Sequence, residues 1–269
     1  MPRGTPDRRA QILDAVNEHD YVSVVDLARQ FDMSEVSIRR NLEQLEQIGS
    51  VRRVHGGAQP VPRSGQPQLY DARLLRFAAE KAAIGRAAAR LVQPGSIILL
   101  DSGTTVIEVA RALPRESLNS GGLTVVTRSL IVAGYLRRFR STRLIVLGGI
   151  YQHDNDDFFG PEVEAALDHL HVHTAFIGAD GIDTSQGVTT DNVRDAGLLR
   201  RIAHTCEQLV CVTDSSKIGG VRLQTVLPLS ALHTLVTDTA APAPSIETFR
   251  SEGMRVILAT AQSSQPQEA

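Results

Sequence analysis

Seven short apolar runs recur through the last two-thirds of this chain, and they limit its folding options more than any other feature. They are Ser96–Asp101 (SIILLD), Leu123–Thr127 (LTVVT), Arg143–Leu147 (RLIVL), Thr174–Gly178 (TAFIG), Gln208–Thr213 (QLVCVT), His233–Thr237 (HTLVT) and Arg255–Ala259 (RVILA). Each is continuous rather than alternating, the pattern of a strand covered on both faces. Helical stretches at 105–113, 129–139, 161–170, 195–206 and 244–252 lie between most of them. Such alternation predicts an α/β fold whose larger domain is a Rossmann-like parallel sheet with helices on both sides.

The residues before this region follow a different pattern. Residues 7–49 read as helices, and 50–58 are short and basic. GGAQPVPRSGQPQL at 56–69 has the Gly, Pro and Gln content of a linker. The expected organisation is a small domain over 1–58, a linker over 59–78, a larger domain over 79–260 and a disordered tail over 261–269.

The formal net charge of −2 over 269 residues excludes a globally basic nucleic-acid binder, so an anionic partner must be met by a local patch. No tryptophan and only 4% aromatic residues argue against a stacking platform for single strands. Cys206 and Cys211 form no CxxC motif and no disulfide framework, which suits a reducing cytoplasm. The charged N-terminus shows no signal peptide, and no apolar run is long enough to span a bilayer. The only lysines are Lys81 and Lys217, the other basic residues being arginine.

In the small domain, Ile12, Leu13 and Val16 mark the inner face of a first helix. Ser23 caps a second, with Val24, Leu27, Ala28 and Phe31 inward, and Ser23-Val-Val-Asp26 resembles a capping box. Asp32-Met33 is a short turn, and Ser34 caps a third helix that ends near Ile48 and Gly49. Two helices across so short a turn suggest helix-turn-helix. Ile38, Leu42 and Leu45 share the core face of the third helix, which turns Val36 and Arg40 outward, with Ser37 and Arg39 beside them. Arginine grips guanine O6 and N7, and valine meets a thymine methyl, so this face suits a major groove. SVRRVHGGA at 50–58 reads as a β wing that lays Arg52, Arg53 and His55 along phosphates or a minor groove. Residues 1–58 carry eight arginines against nine acids, so DNA binding depends on where the arginines stand. A protein-interaction domain with solvated arginines is the alternative for the same pattern.

In the larger domain, Asp101-Ser102-Gly103-Thr104-Thr105 follows a strand and opens a helix, a place where backbone N–H groups and hydroxyls converge on an anion. By itself the motif also fits an ordinary glycine turn. Other strand ends contribute Thr127-Arg128, Gly148-Gly149, Asp180 and Asp214-Ser-Ser-Lys217. Ligands of parallel α/β sheets bind at these carboxyl ends. Hydroxyls, carboxylates and one lysine suit a small phosphorylated, hydroxylated ligand, with Lys217 as counter-charge. Lys217 taken alone reads equally as a solvated lysine.

These motifs together resemble the DeoR family of bacterial transcription regulators. Residues R8-R9-x-x-I12-L13, L27-A28-x-x-F31-x-M33-S34, S37-I38-R39-R40-x-L42-x-x-L45-E46-x-x-G49 and R53-V54-H55-G56-G57-A58 are similar to its N-terminal signature. K81-x-x-I84, P94-G95, L100-D101-x-G103-T104-T105, V126-T127, G148-G149, F176-I177-G178, G187-V188-x-T190, D214-S215-S216-K217 and T237-D238 are similar to its sensor domain. The resemblance spans about residues 7–260. It implies a winged helix-turn-helix joined to a domain similar to ribose-phosphate isomerases. It further implies an operator-binding repressor of carbohydrate genes, released by a sugar phosphate and acting as a homodimer or homotetramer. Asp101, Gly103, Thr104, Thr105 and Lys217 are its ligand-site candidates. Three positions depart from the family pattern: Asn41 and Asp195 replace its usual Asp and Glu, and Arg128 its usual Asn. Arg128 either pairs with Asp101 or grips an acidic group on the effector.

The same residues admit two other functions. An aldose–ketose isomerase on the sensor fold would need a general base such as Asp101 or Asp180. A metal site could draw on His169, His171 and His173, which straddle a helix end and a strand start, or on HDND at 153–156, which lacks the full calcium-loop spacing; a solvated or packed histidine cluster is the preferred reading, and no metal and no cofactor is expected.

Overall fold

The computed structural model describes residues 5–17, 19, 21–47, 50–54, 56–60 and 70–261. The chain divides after Ala78 into two units. The first contains α1 (Thr5–Asn17), β1 (Val22–Ser23), α2 (Val24–Gln30), α3 (Glu35–Gln47), β2 (Val51–Val54), β3 (Gly57–Pro60) and α4 (Tyr70–Leu75). Its core is the apolar set read from helical spacing: Ile12, Leu13, Val16, Leu27, Ile38, Leu42 and Leu45 are at most 2% exposed. Ser23 caps α2 by accepting from Asp26 N at 3.0 Å, and its hydroxyl donates to the Asp26 carboxylate at 2.6 Å. Asp32 makes the turn into α3 with a left-handed backbone, φ +50°. Ser34 Oγ accepts from Ser37 N at 3.2 Å and caps α3.

The wing is a three-stranded antiparallel sheet in the order β1-β3-β2. Gly57 is required where β3 crosses β1, because a Cβ there would fall 2.2 Å from Val22 O and 2.7 Å from the Tyr21 ring. The expected linker at 59–78 needs correction at both of its described ends. Gln59 and Pro60 complete β3, and Tyr70–Leu75 is a helix packed on α1. The physical reason is apolar: Tyr70 is 3% exposed, and Leu75 joins the first unit's core. Residues 61–69, and the expected tail from 262 onward, lie outside the described residues.

The second unit runs α5 (Ala78–Ala89), β4 (Ile97–Leu100), α6 (Val106–Ala112), α7 (Arg115–Asn119), β5 (Thr124–Thr127), α8 (Leu130–Leu136), β6 (Arg143–Val146), β7 (Ile150–Gln152), β8 (Asp157–Phe159) and α9 (Pro161–Leu167). It continues with β9 (Val172–Ile177), β10 (Gly181–Asp183), β11 (Gly187–Thr190), α10 (Val193–Thr205), β12 (Cys206–Val212), β13 (Gln224–Leu227), β14 (Thr234–Asp238), α11 (Ala243–Ser251) and β15 (Arg255–Ala259). All seven apolar runs fall in one sheet, ordered β15-β14-β12-β9-β4-β5-β6, with every neighbouring pair parallel.

Alternate strand residues enter opposite layers. Leu99, Val126, Ala175, Ile177, Cys211 and Leu235 share a core with Val163, Leu167, Ala196 and Ile202 of α9 and α10. Ile98, Leu100, Phe176, Val210 and Val236 are buried on the other face. Two additions carry weaker sequence signals. β10, β11 and β13 form a small antiparallel sheet, and β7 pairs with β8 as a hairpin. From β4 the chain proceeds to β5 and β6 on one side, then returns to β9, β12, β14 and β15 on the other. The order therefore reverses between β4 and β9, and the carboxyl ends of those two strands flank the switch-point crevice where such sheets bind ligands.

Candidate functional site

α3 presents the face expected of it. Val36 is 73% exposed, and Arg39 and Arg40 are exposed beside it, while Ile38 and Leu42 on the opposite side are buried. Arg39 Nη2 donates to Glu35 Oε2 at 2.7 Å, one helical turn back, which holds that guanidinium along the helix surface. Asn41 Nδ2 donates to Ser37 O at 2.7 Å, a bond an aspartate could not donate. Arg52 and Arg53 are exposed on β2. Arg52 donates to Gln59 Oε1 at 2.6 Å, and Arg53 N donates to Glu46 Oε1 at 3.0 Å, tying the wing to α3. His55 lies outside the described residues.

The second candidate site lies at the carboxyl ends of the parallel strands of the second unit. Leu100 leads into Asp101 and Ser102, both buried, and Gly103 turns the chain with φ +132° into the half-exposed Thr104 and the buried Thr105 that precedes α6. Thr127 Oγ1 accepts from Ser129 N at 3.0 Å and shapes the turn after β5. That turn drives Arg128 inward until it is 3% exposed.

All five N–H groups of Arg128 are used within the protein. Nε donates to Asp101 Oδ1 at 2.6 Å. Nη1 donates to Asp157 Oδ2 at 2.8 Å and to Phe158 O at 3.3 Å. Nη2 donates to Asp195 Oδ1 at 3.1 Å and to Ser102 Oγ at 3.2 Å. A guanidinium has five donors, so none remains for a ligand. Of the two roles expected for Arg128, the geometry shows pairing with Asp101, and it adds two carboxylates that the sequence reading did not connect.

Burial opposes the charge on Arg128, but the fields of Asp101, Asp195 and Asp157 outweigh it and its pKa is raised. Burial pushes the Asp157 carboxyl up to about 6 despite the Arg128 charge, and it raises Asp195 as well. Asp195 Oδ2 also accepts from Asn192 Nδ2 at 2.7 Å, and Asn192 in turn caps α10. One guanidinium thus ties the ends of β4 and β5 to the β7–β8 hairpin and the start of α10. The carboxylate oxygens that remain can accept hydrogen bonds from hydroxyl donors.

The other expected residues divide by role. Asp180 Oδ2 accepts from Thr190 Oγ1 at 2.7 Å and is half-buried. Lys217 is half-buried in a short turn that Asp214 caps through Ser216 N. Gly149 is explained by packing, since a Cβ would lie 2.6 Å from Phe159 O. His173 Nδ1 accepts from Ile97 N at 2.9 Å and is part of the sheet's bonding. Among the described residues no group of three or more His, Cys, Asp or Glu side chains is arranged to hold a metal ion.

Comparison with known proteins matches both modules. The DeoR-like helix-turn-helix domain matches residues 8–62, and the DeoR C terminal sensor domain matches 76–239. The chain is 33% identical over 258 residues to the putative aga operon transcriptional repressor of Escherichia coli O157:H7, covering 95% of this chain and 94% of that protein. It is 29% identical to the HTH-type transcriptional regulator GlpR of Haloferax volcanii, covering 93% of this chain and 96% of that one. Among solved structures, the full-length sorbitol operon regulator SorC from Klebsiella pneumoniae aligns over 92% of this chain and 100% of its own, at 12% identity and a TM-score of 0.40. Ribose 5 phosphate isomerase A from Neisseria gonorrhoeae aligns over 53% and 54%, at 18% identity and a TM-score of 0.37. Matched at both modules, with relatives named as transcription regulators along nearly its whole length, the chain belongs to the DeoR family of transcriptional regulators rather than to the enzymes.

Proposed function

We propose that this protein is a sequence-specific repressor of carbohydrate-catabolism genes that leaves its operator when a phosphorylated sugar binds at the strand ends of its sensor unit. The observation that carries the DNA half is the exposed face of α3, with Val36, Arg39 and Arg40 turned out over a buried Ile38–Leu42–Leu45 seam. Arg40 reads a base edge, Arg39 follows in the orientation set by Glu35, and Arg52 and Arg53 follow the phosphates. The relative named as a putative repressor of the aga operon supports the same reading.

The effector half rests on the switch-point crevice. Sugar hydroxyls donate to the oxygens of Asp101 and Asp180, while Thr104, Thr105 and Lys217 hold the phosphate. Arg128 touches no ligand; it fixes Asp101, while Thr190 holds Asp180. Effector binding then shifts the population toward a form with misplaced DNA-binding modules, a coupling of about 1–3 kcal/mol in such systems.

The test separates the two sites. Arg40→Ala lowers operator affinity by about tenfold or more, the worth of one arginine–guanine contact, and leaves effector binding unchanged. Lys217→Ala weakens the effector response and leaves operator affinity unchanged. Fluorescence anisotropy on operator DNA, with and without effector, reads both. Loss of both functions in either variant, with folding intact by circular dichroism, would overturn the two-site assignment.

A further inference from the structure

The sensor sheet ends on β6, and among the described residues that edge is exposed. Ile145 is 37% exposed and Val146 43%, and the Arg143 before them is exposed too. Consecutive strand residues point to opposite faces, so both layers of the sheet are open here. Among the described residues no strand pairs with the outer side of β6. Interior strands differ sharply, since Leu99, Val126 and Ile177 are at most 1% exposed. Solitary edges are usually protected by proline, a bulge or charges along the strand. Arg-Leu-Ile-Val has only the charge at its start. Two further apolar residues extend the patch beyond the strand's carboxyl end. Ile150 is 54% exposed, and Leu130, whose N–H is bonded to Asp156 O in the β7–β8 hairpin, is 45% exposed.

Charge is graded along the same edge. At the amino end stands Arg143, and a hollow of about 670 Å³ lined by Gly134, Arg137, Arg138 and Arg140 lies in the segment just before it. At the carboxyl end the exposed Glu162 approaches Ile150, both reaching within 3.5 Å of the Cβ position at Gly160. A parallel arrangement of two such edges would set like charge against like. An antiparallel one, generated by a two-fold axis, sets the basic end of each against the acidic end of the other and uses the same patch on both.

We infer that β6 is the surface on which a second copy of this chain docks, the two edges pairing antiparallel so that Arg140 and Arg143 of one copy meet Glu162 of the other. A stable interface needs about 800 Å² per partner, more than a four-residue strand supplies. Leu130, Ile150 and the arginine-lined hollow therefore belong to it as well. This assignment rests on the regulator reading only for its purpose, the presentation of paired recognition helices to paired half-sites.

The experiment is sedimentation velocity of the full chain at several concentrations in the micromolar range. The wild type sediments as an even-numbered oligomer of the 29.1 kDa chain, and the Ile145→Glu/Val146→Glu variant sediments at half that mass. Leu258→Glu, at a 40% exposed position on the opposite edge, keeps the wild-type mass. Arg143→Glu weakens association by about tenfold, a typical span for losing one interfacial charge pair. Arg143→Glu/Glu162→Arg regains most of that loss, which provides a test that does not depend on how well the double-glutamate variant folds. A monomeric wild type, an unchanged mass for Ile145→Glu/Val146→Glu, or a charge-swapped pair as weak as Arg143→Glu alone would overturn the interface. Operator binding is read separately. A β6 dimer that binds no DNA would overturn the repressor reading and leave the interface standing; a monomer that binds operator would do the reverse.

Discussion

Arg128 shows how much one buried guanidinium can organise. Asp101 and Arg128 stand at the carboxyl ends of adjacent parallel strands, so their pairing was open to sequence reasoning. Asp157 and Asp195 were not, because they reach the guanidinium through a hairpin and a helix start whose placement depends on tertiary packing. Asp195 Oδ1 ends 3.1 Å from Arg128 Nη2. Removing the cation leaves three buried carboxylates uncompensated. Arg128→Met should therefore destabilise the protein by about 3–5 kcal/mol at pH 7, measured by urea denaturation, and by less at pH 5.

Asp157 gives this network a pH dependence. Its folded-state pKa of about 6 lies above the ordinary 3.8, so the folded protein holds that proton more tightly than the unfolded chain does. Its contribution to stability is full below about pH 4 and is lost as the pH rises through 6. Asp157→Asn removes the group. Relative to wild type, that variant should gain about 1 kcal/mol between pH 5 and pH 7. Denaturation curves of both proteins at the two pH values check this, and a difference that does not change with pH would refute it.

At the scale of elements, periodicity was the strongest guide. The helix-turn-helix seam and the seven strands follow directly from apolar spacing, because burial on one or two faces imposes a period on the sequence. What escaped were elements with little apolar periodicity. α4 was hidden in a Pro- and Gln-rich neighbourhood, although Tyr70 and Leu75 are the residues that dock it. The hairpin strands Ile150–Gln152 and Asp157–Phe159 are too short to show a pattern, yet they carry Asp157 into the site. The wing depends on backbone proximity at Gly57. Gly57→Ala should force β3 away from β1 at a cost of about 1–3 kcal/mol. Operator affinity should fall while effector binding is retained; equal operator affinity in the variant would mean that the wing is not part of the DNA-binding surface.

At the scale of the whole molecule, the near-neutral charge and ordinary composition say little about function. The order of modules says much more: an exposed helix face with Arg39 and Arg40 belongs to one unit, and a set of strand-end hydroxyls and carboxylates to the other. Coupling between the two sites is what would make this protein a regulated repressor. The most direct test is fluorescence anisotropy of the full protein on DNA from upstream of its own gene, at a stated salt concentration, titrated with a panel of sugar phosphates. The expected result is tight, competitor-resistant binding that one phosphorylated sugar reverses and its unphosphorylated counterpart does not. Specific binding unchanged by every phosphorylated sugar in the panel would overturn the coupling.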